Sequence, residues 1–298
     1  AGILFDRYTS EQHDIHDKKL IYKTLALFKE LHVTYEQDGA LWLKTTDYGD
    51  DKYRVLITSE ETPTYFLADA GHYLETKKRG FDGKILILGP DHYGYVSRIQ
   101  AAAKIVGLSK SDVIITQAVR LISGGKEAKM SKRKGVFVTF GELVEDVSAD
   151  AARFFFLMIS PDTHMDFDID LAKEKSLKNP VFYAQYAYVR ALSIIKKAHI
   201  KKGKIDLSLL TTEEDTNLML KLAEFPEILE DTARDYAIHR VTRYVLELSK
   251  IFHNFYEVER VSGVPDNIAR ARLALVAGAA TVLKNALGVL GVSTPKKM

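Results

Sequence analysis

The chain has 298 residues, enough for two domains each with its own core, and an ordinary composition of 46% hydrophobic and 28% charged residues. A net charge of +2 provides no global field, so any contact with nucleic acid has to come from local patches. The lack of cysteine excludes disulfides and thiolate metal sites, and the longest apolar stretch, Leu273 to Leu283, is much shorter than a membrane span.

Residues 1–60 read as a mixed α/β piece. The opening Ala1-Gly2-Ile3-Leu4-Phe5 is too short for a secretory leader, and charge follows at once. Apolar spacing predicts a helix from Asp17 to Glu30, and Asp38-Gly39 between two short strand candidates is a hairpin signal. Arg54 to Ile57 reads as a strand. Thr62-Pro63 reads as the N-cap and first position of a helix running to about Arg79. Next come a strand at Lys84 to Leu88, the turn Gly89-Pro90-Asp91-His92, a helix from Gly94 to Val106 and a strand from Val113 to Leu121. This is a βαβ crossover whose continuous apolar strands predict a parallel sheet buried on both faces.

Ligands of such sheets lie at the C-terminal strand ends. Gly89, Asp91 and His92 sit at one such end, and the run Gly124 to Gly135 follows the next, with Lys129-Met130-Ser131-Lys132-Arg133 inside it. No apolar periodicity crosses this run, so it reads as a polar loop able to place positive charge on a polyphosphate. A short strand (136–138) and helices at about Phe140 to Val147 and Asp150 to Ser160 follow. Asp166, Asp168 and Asp170 alternate as on an exposed extended segment, and no metal site is predicted there. From Leu171 onward helices are predicted at Ala172–Ile200, Thr212–Ala223, Pro226–Arg234, Tyr236–Glu259 and Ile268–Leu290, giving a helical bundle. The expected division is a partial nucleotide-binding domain over 1–158, a connector over 159–178 and a helical domain over 179–298.

The Lys129 run, Asp38-Gly39-Ala40-Leu41-Trp42, Gly49-Asp50-Asp51, Thr64 to Asp69, Gly89 to Tyr95, Asp150-Ala151-Ala152-Arg153 and Asn179 to Tyr186, taken in that combination, resemble arginyl-tRNA synthetase, a class I aminoacyl-tRNA synthetase, over essentially the whole chain. The resemblance implies the C-terminal half of a Rossmann-like catalytic domain followed by an anticodon-binding bundle, with the connector where the tRNA acceptor stem meets the catalytic domain. It implies ATP-dependent ligation of arginine to tRNA-Arg in a cytoplasmic, monomeric protein, with Mg2+ accompanying ATP, no tightly bound cofactor and no membrane partner. Lys129, Lys132 and Ser131 are then the expected catalytic residues, with Met130, Gly89, Asp91 and His92 at ATP. The matching positions for the arginine side chain are Tyr65 and Asp69, which share a helix face. Those for the anticodon are Tyr183, Tyr186, Arg190, Tyr256 and Met298; on spacing alone, the tyrosine stripe reads more readily as core.

One feature departs from the resemblance. Class I synthetases carry a second signature of His-x-Gly-His type, and none of the nine histidines here forms it. The chain is therefore expected to be a C-terminal fragment lacking the first half of the catalytic fold, inactive alone. A non-catalytic tRNA-binding module is the alternative.

Overall fold

In the computed structural model, which describes residues 2–127, 139–201 and 203–298, two units part between Ala118 and Val119. One comprises 4–118 with 161–164, and the other 1–3, 119–160 and 165–298. The described residues of 119–158, expected in the nucleotide-binding domain, cluster with the bundle by their contacts.

In the first unit, helix α1 (Leu20–Glu30) buries Leu20, Ile21, Thr24 and Phe28. It starts three residues later than the spacing predicts, because Lys19 is left-handed and a π-helical turn, Glu11–His16, precedes it. Strands β1 (Thr34–Gln37) and β2 (Ala40–Leu43) form the expected hairpin, with Asp38 and Gly39 both at positive φ as a tight hairpin turn requires. Strand β3 (Arg54–Ile57) pairs antiparallel with β2. Pro63 bridges to Ile57 and so prolongs the sheet, which delays helix α2 (Tyr65–Lys78). Thr64, rather than Thr62, is its N-cap, accepting from the Leu67 N–H.

Strand β4 (Gly83–Leu88), helix α3 (Val96–Val106) and strand β5 (Lys110–Ile115) make the crossover, with β4 and β5 parallel from Gly83↔Lys110 to Leu88↔Ile115. A 3-10 turn, Pro90–Tyr95, delays α3 to Val96. The sheet is not buried on both faces. Leu86, Leu88 and Val113 pack on the unit's core, while Ile85 and Ile87 are 50% and 68% exposed. In this unit β4 pairs only with β5, and the face that carries Ile85 and Ile87 is open.

A buried ion pair fastens this unit. Arg54 donates from Nε and Nη2 to Asp50, both at 2.7 Å, and also pairs with Asp51; Ser97 on α3 donates to Asp50 at 2.9 Å. Burial alone would raise the Asp50 carboxyl, but the hydrogen bonds from Arg54 and Ser97 hold it well below the usual carboxylate range.

In the second unit, strand β6 (Val119–Ser123) turns through Gly124 and Gly125 into β7 (Lys126–Glu127). The single strand expected over Val113 to Leu121 is therefore two, β5 and β6, one in each unit. Helices α4 (Phe140–Val147) and α5 (Ala149–Leu157) follow, α4 starting with a Thr139–Glu142 capping box. Strand β8 (Met165–Asp168) lies parallel to β6 and leads into helix α6 (Ile169–Lys173). Its acidic residues have protein partners: Asp166 takes a bidentate pair from Arg120, Asp168 caps α6, and Asp170 accepts from Ser123 Oγ and the Gly124 N–H.

The long helix expected over Ala172–Ile200 is interrupted. Asn179 donates to the carbonyls of Ala172 and Glu174 and accepts from the Val181 N–H, and Pro180 forbids a continuous helix, so α7 spans Pro180–Lys197. Helices α8 (Glu213–Ala223), α9 (Phe225–Asp235), α10 (His239–Val258) and α11 (Asp266–Val289) complete the bundle. Tyr236, predicted to open α10, is instead the left-handed cap of α9. The core is built from Ala184, Tyr188, Leu248, Phe252, Phe255, Val276, Ala279 and Leu283. Helix α11 has the length and composition of a membrane span, but its buried stripe packs in this core.

Candidate functional site

The inward stripe of α7 is Val181, Ala184, Gln185, Ala187, Tyr188 and Ala191. Tyr188 therefore goes to the core, and Tyr183, Tyr186 and Arg190 stay on the adjoining, half-buried face. Helix α10 presents His253 and Tyr256 to them. The His253 ring lies 4.8 Å from that of Tyr183 and 5.6 Å from that of Tyr186, and the Arg190 guanidinium lies 4.4 Å above Tyr256 and 5.5 Å from Tyr186. A groove of about 470 Å3 opens beside them, lined by Arg190, Ser193, Lys197, Tyr256, Glu259 and Arg260. Stacking faces edged by cations suit unpaired bases and their phosphates.

His253 escapes sequence reasoning, although its i, i+3 spacing from Tyr256 places the two on one face of a helix. Burial, with Arg190 adding to it, pushes its imidazole below the ordinary histidine range, so the ring is a neutral aromatic surface near pH 7. Met298 is exposed and is not among the groove's lining residues. The basic segment after α7 is fastened by Arg270 of α11, which donates to the carbonyls of Lys201 and Lys204 and occupies the space a side chain at Gly203 would need.

A second cluster lies in the first unit. Tyr65 is 89% exposed on α2 and borders a groove of about 540 Å3 with Glu11, His16, Ile21, Tyr22 and Ala68. One turn on, Asp69 is half-buried. Burial raises its carboxyl above the usual range and Glu11 adds to this, while His72, Lys84 and His92 pull the other way. Burial likewise lowers Lys84, whose Nζ sits 4.7 Å over the Tyr73 ring. A carboxylate so incompletely compensated has most to gain from a permanently charged guanidinium.

Gly89, Asp91 and His92 follow β4. His92 Nε2 lies 3.5 Å from Asp91 Oδ2, and its ring meets Tyr95 edge-on at 5.5 Å. Asp91 sits inside the 3-10 turn and does not cap α3; its Oδ1 fills the space beside Gly89, where a Cβ would come within 2.9 Å. The structure thus groups Tyr183, Tyr186, Arg190 and Tyr256 on one face, and sets Asp69 within electrostatic reach of His92. The expected catalytic and ATP residues Lys129, Met130, Ser131 and Lys132, and the strand expected over 136–138, lie outside the described residues.

Residues 184–298 match the family described as DALR anticodon binding domain. An arginine–tRNA ligase from Symbiobacterium thermophilum is 46% identical over 100% of this chain and 54% of its own length. One from Staphylococcus aureus is 43% identical over 99% of this chain and 54% of its own length. The chain thus spans about half the length of the curated relatives it matches. Among solved structures, an arginyl-tRNA synthetase from Campylobacter jejuni superposes with a TM-score of 0.84 at 30% identity, covering 99% of this chain and 65% of that one. The Thermus thermophilus arginyl-tRNA synthetase shares the fold, with a TM-score of 0.79 at 22% identity over 96% of this chain and 59% of that one.

Proposed function

We propose that this chain, which has the sequence and fold of the C-terminal portion of arginyl-tRNA synthetases, binds tRNA-Arg through the α7–α10 face and contributes part of an arginine and ATP site that it does not complete. The observation that carries this reading is the convergence of Tyr183, Tyr186, Arg190, His253 and Tyr256, from two helices, on one face, all but Tyr183 inside the span matched as an anticodon-binding domain and Tyr183 one residue before it.

In the reaction, the arginine carboxylate attacks the ATP α-phosphate, pyrophosphate leaves, and the arginyl group passes to the terminal ribose of tRNA. Asp69 and Tyr65 would orient the guanidinium through charge-assisted hydrogen bonds. Gly89, Asp91 and His92, at the C-terminal end of β4, would face the adenosine, with the Asp91 carboxylate seated in the space beside Gly89. Lys129, Lys132 and Ser131 would stabilise charge developing on the phosphates, next to Met130. Mg2+ would arrive bound to ATP; among the described residues, no group of three or more His, Asp or Glu is arranged to hold a metal ion. The same reading implies a cytoplasmic protein that acts as a monomer.

That these 298 residues do not catalyse activation alone is supported by two observations: none of their histidines forms a His-x-Gly-His pattern, and Ile85 and Ile87 leave one face of the β4–β5 sheet uncovered. The test is ATP–pyrophosphate exchange with arginine and tRNA-Arg. Exchange at background is the expected result, and turnover near that of a full-length relative would overturn the reading. Tight tRNA binding without exchange, even after the remaining part of a relative is added in trans, would favour a non-catalytic tRNA-binding module.

A further inference from the structure

Gln185 is the polar member of α7's buried stripe, at 8% exposure. Its Nε2 donates to Asp150 Oδ2 of α5 at 2.8 Å and to the Ser293 carbonyl at 2.9 Å. Asp150 in turn accepts from the Ser293 N–H at 2.9 Å and from the Ser293 hydroxyl. Ser293 is therefore held through its N–H, its carbonyl and its hydroxyl by two side chains. The two residues before it are docked as well. Val292 is buried, and Gly291 adopts a positive φ with the Arg153 guanidinium of α5 in the space a Cβ would need.

A polar segment following the last helix ordinarily frays unless it is tied down. Here the tie is charge-assisted and lies on a particular turn of α7, since Gln185 falls between Tyr183 and Tyr186. The segment beyond it, Thr294-Pro295-Lys296-Lys297-Met298, brings two cations. Three residues of extended chain reach about 10 Å, so Lys296 stays within that leash of Ser293, which is anchored on the inward side of the α7 turn that carries Tyr183 and Tyr186.

We infer that Asp150 and Gln185 are positioning residues that hold segment 294–298 beside the Tyr183–Tyr186 turn, so that Lys296 and Lys297 add phosphate contacts to RNA seated on that face. The inference rests on the tRNA-binding reading. It gives Asp150 a role outside the chemistry: it touches no RNA and acts through Ser293.

Asp150→Asn keeps the shape and removes the charge and one acceptor. It is expected to weaken binding of a tRNA-Arg transcript by about five- to ten-fold and to reduce the slope of log affinity against log salt by about two, one for each lysine set free. Removing residues 294–298 should have the same effect, and Asp150→Asn made in that shortened chain should add nothing. Ser293→Ala, which keeps the backbone contacts, should give a smaller loss of the same kind. Carboxypeptidase release of Met298 and Lys297 reads the tether without RNA, and should quicken in Asp150→Asn.

A lower melting temperature with an unchanged salt slope would mark Asp150 as merely structural and overturn the inference. An equal affinity loss in the full and shortened chains would do the same, as would an unchanged release rate. A wild-type chain that binds no tRNA would instead bring down the tRNA-binding reading, and the proposed role with it, even where the release assay shows the tether intact.

Discussion

Replacing Arg190 with alanine is expected to raise the dissociation constant for tRNA-Arg by about thirty-fold, or about 2 kcal/mol. Two losses add. The guanidinium that lies 4.4 Å above Tyr256 and 5.5 Å from Tyr186 no longer edges the stacking surface. A phosphate contact also disappears, which should lower the salt slope by about one. Arg190→Lys separates the two: the charge and the salt slope should return, while most of the affinity should not, because an ammonium lacks the planar face that stacks on tyrosine. Arg190 sits on the half-buried face of α7 and outside its core stripe, so the melting temperature of the helical unit should barely move. Anisotropy titrations at several salt concentrations provide both numbers. Wild-type affinity in Arg190→Ala would show that RNA is bound elsewhere.

Replacing Arg54 with alanine is expected to destabilise the 4–118 unit by about 3–5 kcal/mol, because it strands the fully buried Asp50 side chain without its cation. Asp50→Asn combined with Arg54→Met should recover much of that loss, since removing both charges leaves nothing to neutralise. Trp42, the single tryptophan, lies in β2 of the same unit, so urea unfolding followed by its fluorescence reads this unit alone. The dependence on pH has a definite sign. The folded-state pKa of Asp50 is depressed, so its contribution is full above the unfolded carboxylate value of about 3.9 and is lost as pH falls from there toward the folded value. The wild-type unit should therefore lose stability below about pH 4, and Arg54→Ala should lose less over the same range. A variant that unfolds at the wild-type urea midpoint would show that Arg54 is not the partner that keeps Asp50 ionised.

What the sequence made legible depended on how local the cause was. Asp38-Gly39 specifies its hairpin through two positive φ values, and no distant residue can overrule that. Helix starts were less certain. Pro63 is drawn into a bridge with Ile57, and Asn179 caps α7 while its amide donates to the Ala172 and Glu174 carbonyls, both of which depend on how the chain folds back on a segment five to seven residues away. The apolar run Ile85 to Leu88 carries no mark of which residues find cover, because that is set by what packs on each face of β4.

The same limit governed the sites. Tyr183, Tyr186 and Tyr188 look alike in a string, and the small residues Ala184, Ala187 and Ala191 decide that only Tyr188 points inward. His253 lies in a polar-looking helix, and only the packing of α10 against α7 sets its ring beside Tyr183 and Tyr186. The family resemblance singles out Asp69; the pressure of burial and of Glu11 on its carboxyl, relieved by His72, Lys84 and His92, arises only from the folded arrangement of those side chains.

The most direct measurement is the affinity of this chain for the isolated anticodon stem–loop of tRNA-Arg, set against the same stem carrying an unrelated anticodon. If the α7–α10 face reads unpaired bases, the first should bind at least about ten-fold tighter, a difference of about 1.4 kcal/mol, and Tyr256→Ala or Arg190→Ala should erase that preference. Equal affinity for the two stem–loops, or a preference that survives both substitutions, would contradict the account.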